Sequence, residues 1–283
     1  MNVEVVRAGP STTIQDLGRP GLLHQGVPRS GAADRRALAL ANRLLGNDPG
    51  AAALEATLHG PTLRCSGHTT VAVTGARAPV SVGGRPAGQD GPLLVAPGET
   101  VEVGAVTAGL RVYVAFRGGL AVEPVLGSRA TDTLTGVGPP PVADGDELTL
   151  GEPRGEVGGV DVAPVATLPE RPALRVVLGP RADCFTPEAI ERLLGAEFTA
   201  SSRADRVGVR LQGPELVAVT AAQLRSEPLV AGSLQVPPSG APILLLADHP
   251  TVGGYPVIAV VVEEDLPLAA QLRPGEALTF RAP

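Results

Sequence analysis

The 283-residue chain carries a formal charge of −6 at pH 7, with 43 % hydrophobic residues, only 2 % aromatic residues and no tryptophan. All 23 of its basic residues are arginine, which excludes from this chain a Walker A lysine, a Schiff-base lysine and a biotinyl-lysine. Net acidity and the lack of stacking aromatics argue against a nucleic-acid surface. Glu4 and Arg7 interrupt the opening segment, and the most apolar run, VIAVVV, stops at Glu263, so neither a signal sequence nor a membrane span is expected and the reading is a cytoplasmic protein. Cys65 and Cys184 are too few for a disulfide framework and read as small buried hydrophobes.

In chain order, the first feature is a polar island, STTIQDLGRPGLLHQGVPRSGAAD, at residues 11–34. It crowds Gln15, Asp16, Arg19, His24, Arg29 and Ser30 among glycines and prolines without a helical or strand period, as binding loops do. Asp16 and Arg19 also suit a structural ion pair that braces the loop. Asp34 then reads as the N-cap of a helix ending in RLLG at 43–46. Next come Leu-x-Gly-Pro-x-Leu at 58–63 and short apolar runs bounded by turns, followed by Pro-Gly-Glu at 97–99 before another strand-like run. Cys65-x-x-His68 lacks a second pair to complete a zinc site, so no metal is expected.

The same three landmarks recur in the same order: a helix from Thr186 to RLLG at 192–195, Leu-x-Gly-Pro-x-Leu at 211–216, and Pro-Gly-Glu at 274–276. Residues 151–172 between the copies are polar and rich in Gly and Pro. The expected organisation is a first β-rich unit at 1–150, a linker at 151–172 and a second unit at 173–283. A near-identical loop pair, VPRSGA at 27–32 and VPPSGA at 236–241, falls out of this frame. It reads either as turn punctuation or as two loops offering backbone N–H groups and a Ser hydroxyl to an anion.

The densest chemistry lies in LLLADHPTVGGYPVIAVVV, residues 244–262, where two apolar strand-like runs flank Asp248, His249, Thr251, Gly253, Gly254 and Tyr255. Ionisable groups at the end of a core strand belong at a barrel mouth, where solvent or ligand satisfies them. Adjacent strand residues face opposite ways, so Asp248 and His249 share a side only if the chain breaks at Pro250. The alternative is an ordinary hairpin turn with a surface histidine. Arg203, Asp205, Arg206 and Arg210 form a further cationic edge suited to a carboxylate or phosphate, or a solvated strand end.

TTIQDLGRPG…GVPRSGAAD, NRLLGND…AALE, DRVGVRLQGP and GSLQVPPSGAPILLLADHPTVGGYP resemble, in order and over nearly the whole chain, the family known as the 5-oxoprolinase C subunit, allophanate hydrolase subunit 2 or biotin-dependent carboxyltransferase domain, which includes the antagonist of a sporulation-kinase inhibitor. The resemblance implies a mainly β fold of two tandem cyclophilin-like β-barrel units with short helices, the whole chain forming one carboxyltransferase module. It also implies a partner, a carboxyltransferase-like homologue of the 5-oxoprolinase B subunit, with which 5-oxo-L-proline is opened to glutamate at the expense of ATP, bound with Mg2+ in a site shared with that partner. The rivals are a biotin-dependent carboxyltransferase of urea or allophanate type, with biotin carried by another protein, and a non-catalytic regulator of a kinase inhibitor. On the leading reading His249 is the acid or base, with Asp248 orienting it or binding from the other face and Tyr255 as the third catalytic candidate. Gln15, Asp16, Arg19, Ser30, Arg206, Gln235, Ser239, Thr251, Gly253 and Gly254 are the candidate binders of substrate or phosphate.

Overall fold

The computed structural model describes residues 1–219 and 224–283. They divide into two compact units, Met1–Arg19 with Asp34–Thr167, and Pro20–Ala33 with Leu168–Pro283. The fold is mainly β, as composition and resemblance imply.

In the first unit the strands form two antiparallel sheets. One runs in the order Glu147–Thr149, Asn2–Arg7, Thr62–Cys65, Thr100–Val103, Val80–Val82, Arg85–Ala87. The other runs Thr12–Gln15, Ala53–Thr57, Ala108–Phe116, Thr69–Arg77, Pro92–Val95. Period-2 alternation sends Val3, Val5, Leu63, Val101 and Val103 of one sheet and Ile14, Leu54, Val73, Val112 and Val114 of the other into one core. The opposite face of the second sheet carries a buried polar row, because register sets Thr13 against Glu55, Glu55 against Tyr113 and Tyr113 against Thr74.

Helix Arg35–Leu44 packs along that row. Its N-cap Asp34 accepts from the Ala37 amide at 2.9 Å, as the sequence predicts, and the Asp34 amide donates to the Tyr113 hydroxyl at 2.7 Å. Tyr113 donates in turn to Glu55 Oε2 at 2.7 Å, and Arg111 Nε lies 3.6 Å from Glu55 Oε1. Burial, reinforced by the Glu55 charge, pushes the Tyr113 phenol well above its ordinary range, so it stays a neutral donor.

The second unit is a closed barrel in the order Ala173–Leu178, Val257–Val261, Ser233–Gln235, Ile243–Leu245, Gly208–Gln212, Glu197–Ala204, Ala277–Arg281. It is closed by a parallel pairing of Ala173 with Thr279. Leu174, Val209, Leu234, Leu244, Ile258 and Leu278 fill it, with the rings of Phe198 and Phe280 at 5.6 Å. Helix Pro187–Gly195 is capped by Thr186, whose side chain accepts from the Ala189 amide at 3.1 Å.

Two features depart from the boundaries expected above. Pro20–Ala33 packs with the second unit although it precedes the first unit's helix. Residues 151–167 lie along the first unit: the Gly158 amide donates to Leu44 O at 2.9 Å and the Ala163 amide to Asp90 O at 2.7 Å. Gly46 is needed there, because a Cβ would run into the carbonyl of Glu156.

The Pro-Gly-Glu landmark, by contrast, is the same turn in both units. Gly98 and Gly275 have φ of 79° and 87°, and Glu99 and Glu276 donate their amides to Ala96 O and Arg273 O at 3.1 and 3.0 Å. In each turn the glutamate carboxylate accepts from the amide three residues back, at 2.9 Å.

Candidate functional site

Within the second unit, strands Gly208–Gln212 and Ile243–Leu245 pair with Gly208 opposite Leu245, so the residues just before the first and just after the second emerge side by side. Those residues are Arg206 and Asp248. The Asp248 amide donates to Arg206 O at 2.9 Å, and the guanidinium returns a bidentate pair: Nε to Oδ2 at 2.8 Å and Nη2 to Oδ1 at 2.9 Å. Asp248 is 0 % exposed and Arg206 5 %.

Two further bonds tie residues 30–31 to this pair. Ser30 Oγ donates to Asp248 Oδ1 at 2.6 Å, and Arg206 Nη2 donates to Gly31 O at 2.6 Å. Ser30 is held at φ 54°, in the left-handed region that a residue with a Cβ rarely occupies. Asp248, a candidate for orienting His249 or binding from its other face, fastens this loop, and Arg206 is committed to it and to Gly31. Asp205, beside it, accepts from the amides of Val207 and Gly208 at 2.8 and 3.0 Å and shapes the turn.

His249 is 4 % exposed, and its Nδ1 lies 2.8 Å from Pro250 O. A carbonyl can only accept, so that bond requires Nδ1–H and leaves Nε2 with the lone pair in the neutral ring. After Thr251, the short strand Val252–Gly253 pairs with Glu227–Pro228. A Cβ on Gly253 would meet Gln235 Nε2 at 2.6 Å and Leu229 Cδ1 at 2.8 Å, so any larger residue would have to displace the ends of those two side chains. A Cβ on Gly254 would make only ordinary contacts, with Leu224 O at 3.8 Å and Ser226 Oγ at 3.9 Å, and neither glycine has a positive φ. Buried Gln235 donates to Tyr255 O at 3.2 Å, while the Tyr255 side chain stands 47 % exposed. Ser239 is exposed, with Oγ 3.5 Å from the Ala241 amide.

A residue that sequence reasoning missed stands opposite Gly253. Glu227 accepts from Arg181 Nε at 3.0 Å through Oε2, and its Oε1 is buried with no hydrogen-bond partner among the described residues. Its only signal in the sequence is an acid before Pro228; the strand pairing that brings it to Gly253 is not local.

In the first unit the remaining candidates brace a loop. Asp16 accepts from the Gly18 amide at 2.7 Å, Ser128 Oγ at 2.6 Å and the Arg129 amide at 2.7 Å. Arg19, 1 % exposed, donates to Ala130 O at 2.5 Å and Val125 O at 3.4 Å. Gln15, fully buried, donates through Nε2 to Thr13 Oγ1 and Thr131 O, both at 2.9 Å, while its Oε1 has no hydrogen-bond partner among the described residues. No group of three or more His, Cys, Asp or Glu among the described residues has the arrangement of a metal site. Nor is any helix among them long and apolar enough to cross a membrane.

The chain belongs to the family "carboxyltransferase domain, subdomain A and B", whose model matches residues 25–282. It is 34 % identical to the C subunit of 5-oxoprolinase from Escherichia coli, over 98 % of this chain and 90 % of that protein. It is 32 % identical to the Haemophilus influenzae protein of the same name, over 99 % and 91 %. It is also 32 % identical to the urea amidolyase of Saccharomyces cerevisiae, over 98 % of this chain and 16 % of that protein. Among solved structures it superposes on TTHA0988 with a TM-score of 0.91 at 37 % identity, covering 99 % of this chain and 55 % of that one. For the urea amidolyase of K. lactis the TM-score is 0.89 at 30 % identity, with 18 % of that chain covered.

Proposed function

We propose that this chain is one component of an ATP-dependent 5-oxoprolinase that opens 5-oxo-L-proline to L-glutamate together with a carboxyltransferase-like partner. The observation that carries the reading is the likeness to the 5-oxoprolinase C subunits, 34 % identity to the E. coli protein over 90 % of that protein's length, against 16 % of the length of the yeast urea amidolyase.

On this reading His249 Nε2 moves the proton. It takes one from the attacking water or returns one to the departing lactam nitrogen as the C–N bond breaks. Thr251 and the exposed Tyr255 hydroxyl supply hydrogen bonds to the substrate, and the Gly253 backbone supplies close approach. Arg206 and Asp248 act through the loop they hold.

Mg2+ does not fit the described residues of this chain, and neither does a lysine-based clamp for the phosphates of ATP. The chain has no lysine, Arg206 is neutralised by Asp248, and no acidic cluster among those residues suits a divalent ion. On this reading the metal is held by the partner and the nucleotide is shared with it.

Co-expression with the partner and an ADP-release assay test the reading. Release should depend on 5-oxoproline, and His249→Ala should lower the rate by about 10²–10⁴ with little change in melting temperature. Tyr255→Phe should lower it less. Release with urea but not 5-oxoproline would transfer the chain to the carboxyl-transfer reading, which the urea amidolyase relatives support, with biotin arriving on another protein. Binding of a partner without any turnover would leave the regulator.

A further inference from the structure

The loop fastened by Arg206 and Asp248 leaves three hydrogen-bond donors unused. The amides of Gly31 and Ala32, both buried, donate to no group among the described residues. Arg29 Nε, on the same loop, is also buried without a hydrogen-bond partner among those residues.

Each buried donor left unpaired costs about 1–3 kcal/mol, and folded proteins almost always pair such groups with protein, water or a ligand. Three within four residues, all donors and none an acceptor, select for negative charge. Consecutive amides in a turn with positive φ are an anion-binding geometry, and Ser30 and Gly31 have φ of 54° and 90°. The carboxylate bonded to Ser30 does not oppose an anion here, since Asp248 is matched by the bidentate Arg206. That pair also uses up the Ser30 hydroxyl and the Gly31 carbonyl, which fixes the loop before any ligand arrives.

We propose that residues 29–32 form an oxyanion site, in which the Gly31 and Ala32 amides and the Arg29 guanidinium hold one carboxylate or phosphate group. The site stands on this loop alone; assigning the oxyanion to the carboxylate of 5-oxoproline rests on the function proposed above.

The test uses the full chain labelled with 15N-glycine and 15N-alanine, titrated separately with inorganic phosphate, 5-oxoproline and neutral 5-oxoprolinamide. Saturable shifts of the Gly31 and Ala32 amides with phosphate or 5-oxoproline, and none with the amide, are expected. A response to 5-oxoproline identifies a carboxylate, and a response to phosphate alone identifies a phosphoryl group. Arg29→Gln should weaken the binding about tenfold without lowering the melting temperature, the loss of one hydrogen bond to a charged group. Amides unmoved by either anion, or moved equally by 5-oxoprolinamide, overturn the proposal whatever the variant does. Anion-dependent shifts without ADP release in the assembled complex would remove the proposed function and keep the site. Turnover with unmoved amides would do the reverse.

Discussion

Residues 27–32 and 236–241 differ at one position of six, both lie in the second unit, and they fold differently. In 236–241 the turn closes on itself: the Gly240 amide donates to Pro237 O at 2.9 Å, Gly240 alone takes a positive φ, 73°, and Ser239 faces solvent. In 27–32 the serine itself is left-handed and buried, drawn there by a carboxylate 218 residues away. A left-handed non-glycine residue costs about 1–2 kcal/mol, and a hydrogen bond to a charged group contributes about 1.5–3 kcal/mol, so the long-range bond wins. Pro238 favours the local turn by fixing its own φ; Arg29, at the matching place, imposes no such limit. The same short motif is therefore punctuation in one place and a built loop in the other.

Removing the carboxylate should break this contrast most severely. Asp248→Ala strands a buried guanidinium, and urea melts should show a loss of about 3–5 kcal/mol. The double change Arg206→Met with Asp248→Leu should cost less than Asp248→Ala alone, because no charge is left unpaired. A single variant as stable as the parent would mean that the pair does not hold the loop.

A smaller effect is expected at the serine. Ser30→Ala loses the bond but keeps the left-handed strain, whereas Ser30→Gly loses the bond and relieves it, so the glycine variant should be more stable than the alanine variant by about 1 kcal/mol. Equal stabilities would remove strain from the account.

Arg175 and Asp265 make the same fork in a less buried setting, Nε to Oδ2 at 3.0 Å and Nη2 to Oδ1 at 2.8 Å. Hydrogen bonding from Arg175 holds the Asp265 carboxyl below its ordinary range, against the opposing effect of burial. The stability this adds is complete above the unfolded carboxylate's pKa and is lost as pH falls through the depressed folded value. Asp265→Asn should lower stability near neutrality and flatten the acid limb of the stability–pH curve. An unchanged slope would show that the fork is not coupled to folding.

The smallest effect belongs to the second loop. Ser239→Ala should stay within about 0.5 kcal/mol of the parent, as exposed substitutions usually do, and a larger loss measured in the same melts would erase the contrast.

How far the sequence could be read follows the range of each interaction. Asp34 was legible as an N-cap, and Thr186 as the start of a helix, because the amide each one accepts from is three residues away. The Pro-Gly-Glu turns were legible because proline sets φ, glycine takes the left-handed place and the glutamate bonds back within the turn. His249 and Tyr255 drew attention as scarce polar groups between apolar runs. Glu227 drew none, because only its pairing with Gly253 gives it a place.

By itself, then, the sequence determined the mainly β character, the caps, the repeated turns and the stretches where polar groups collect, since alternation and short-range hydrogen bonds are written in consecutive residues. The tertiary structure decided what those polar groups do. Arg206 read as a free cation until the register of Gly208 with Leu245 set it against Asp248. Asp16 and Arg19, read as binders or as an ion pair, are bound to backbone more than 100 residues on. A buried charge takes whichever partner the strand register delivers, because leaving it unpaired costs more than any local preference, and that register depends on the whole barrel closing.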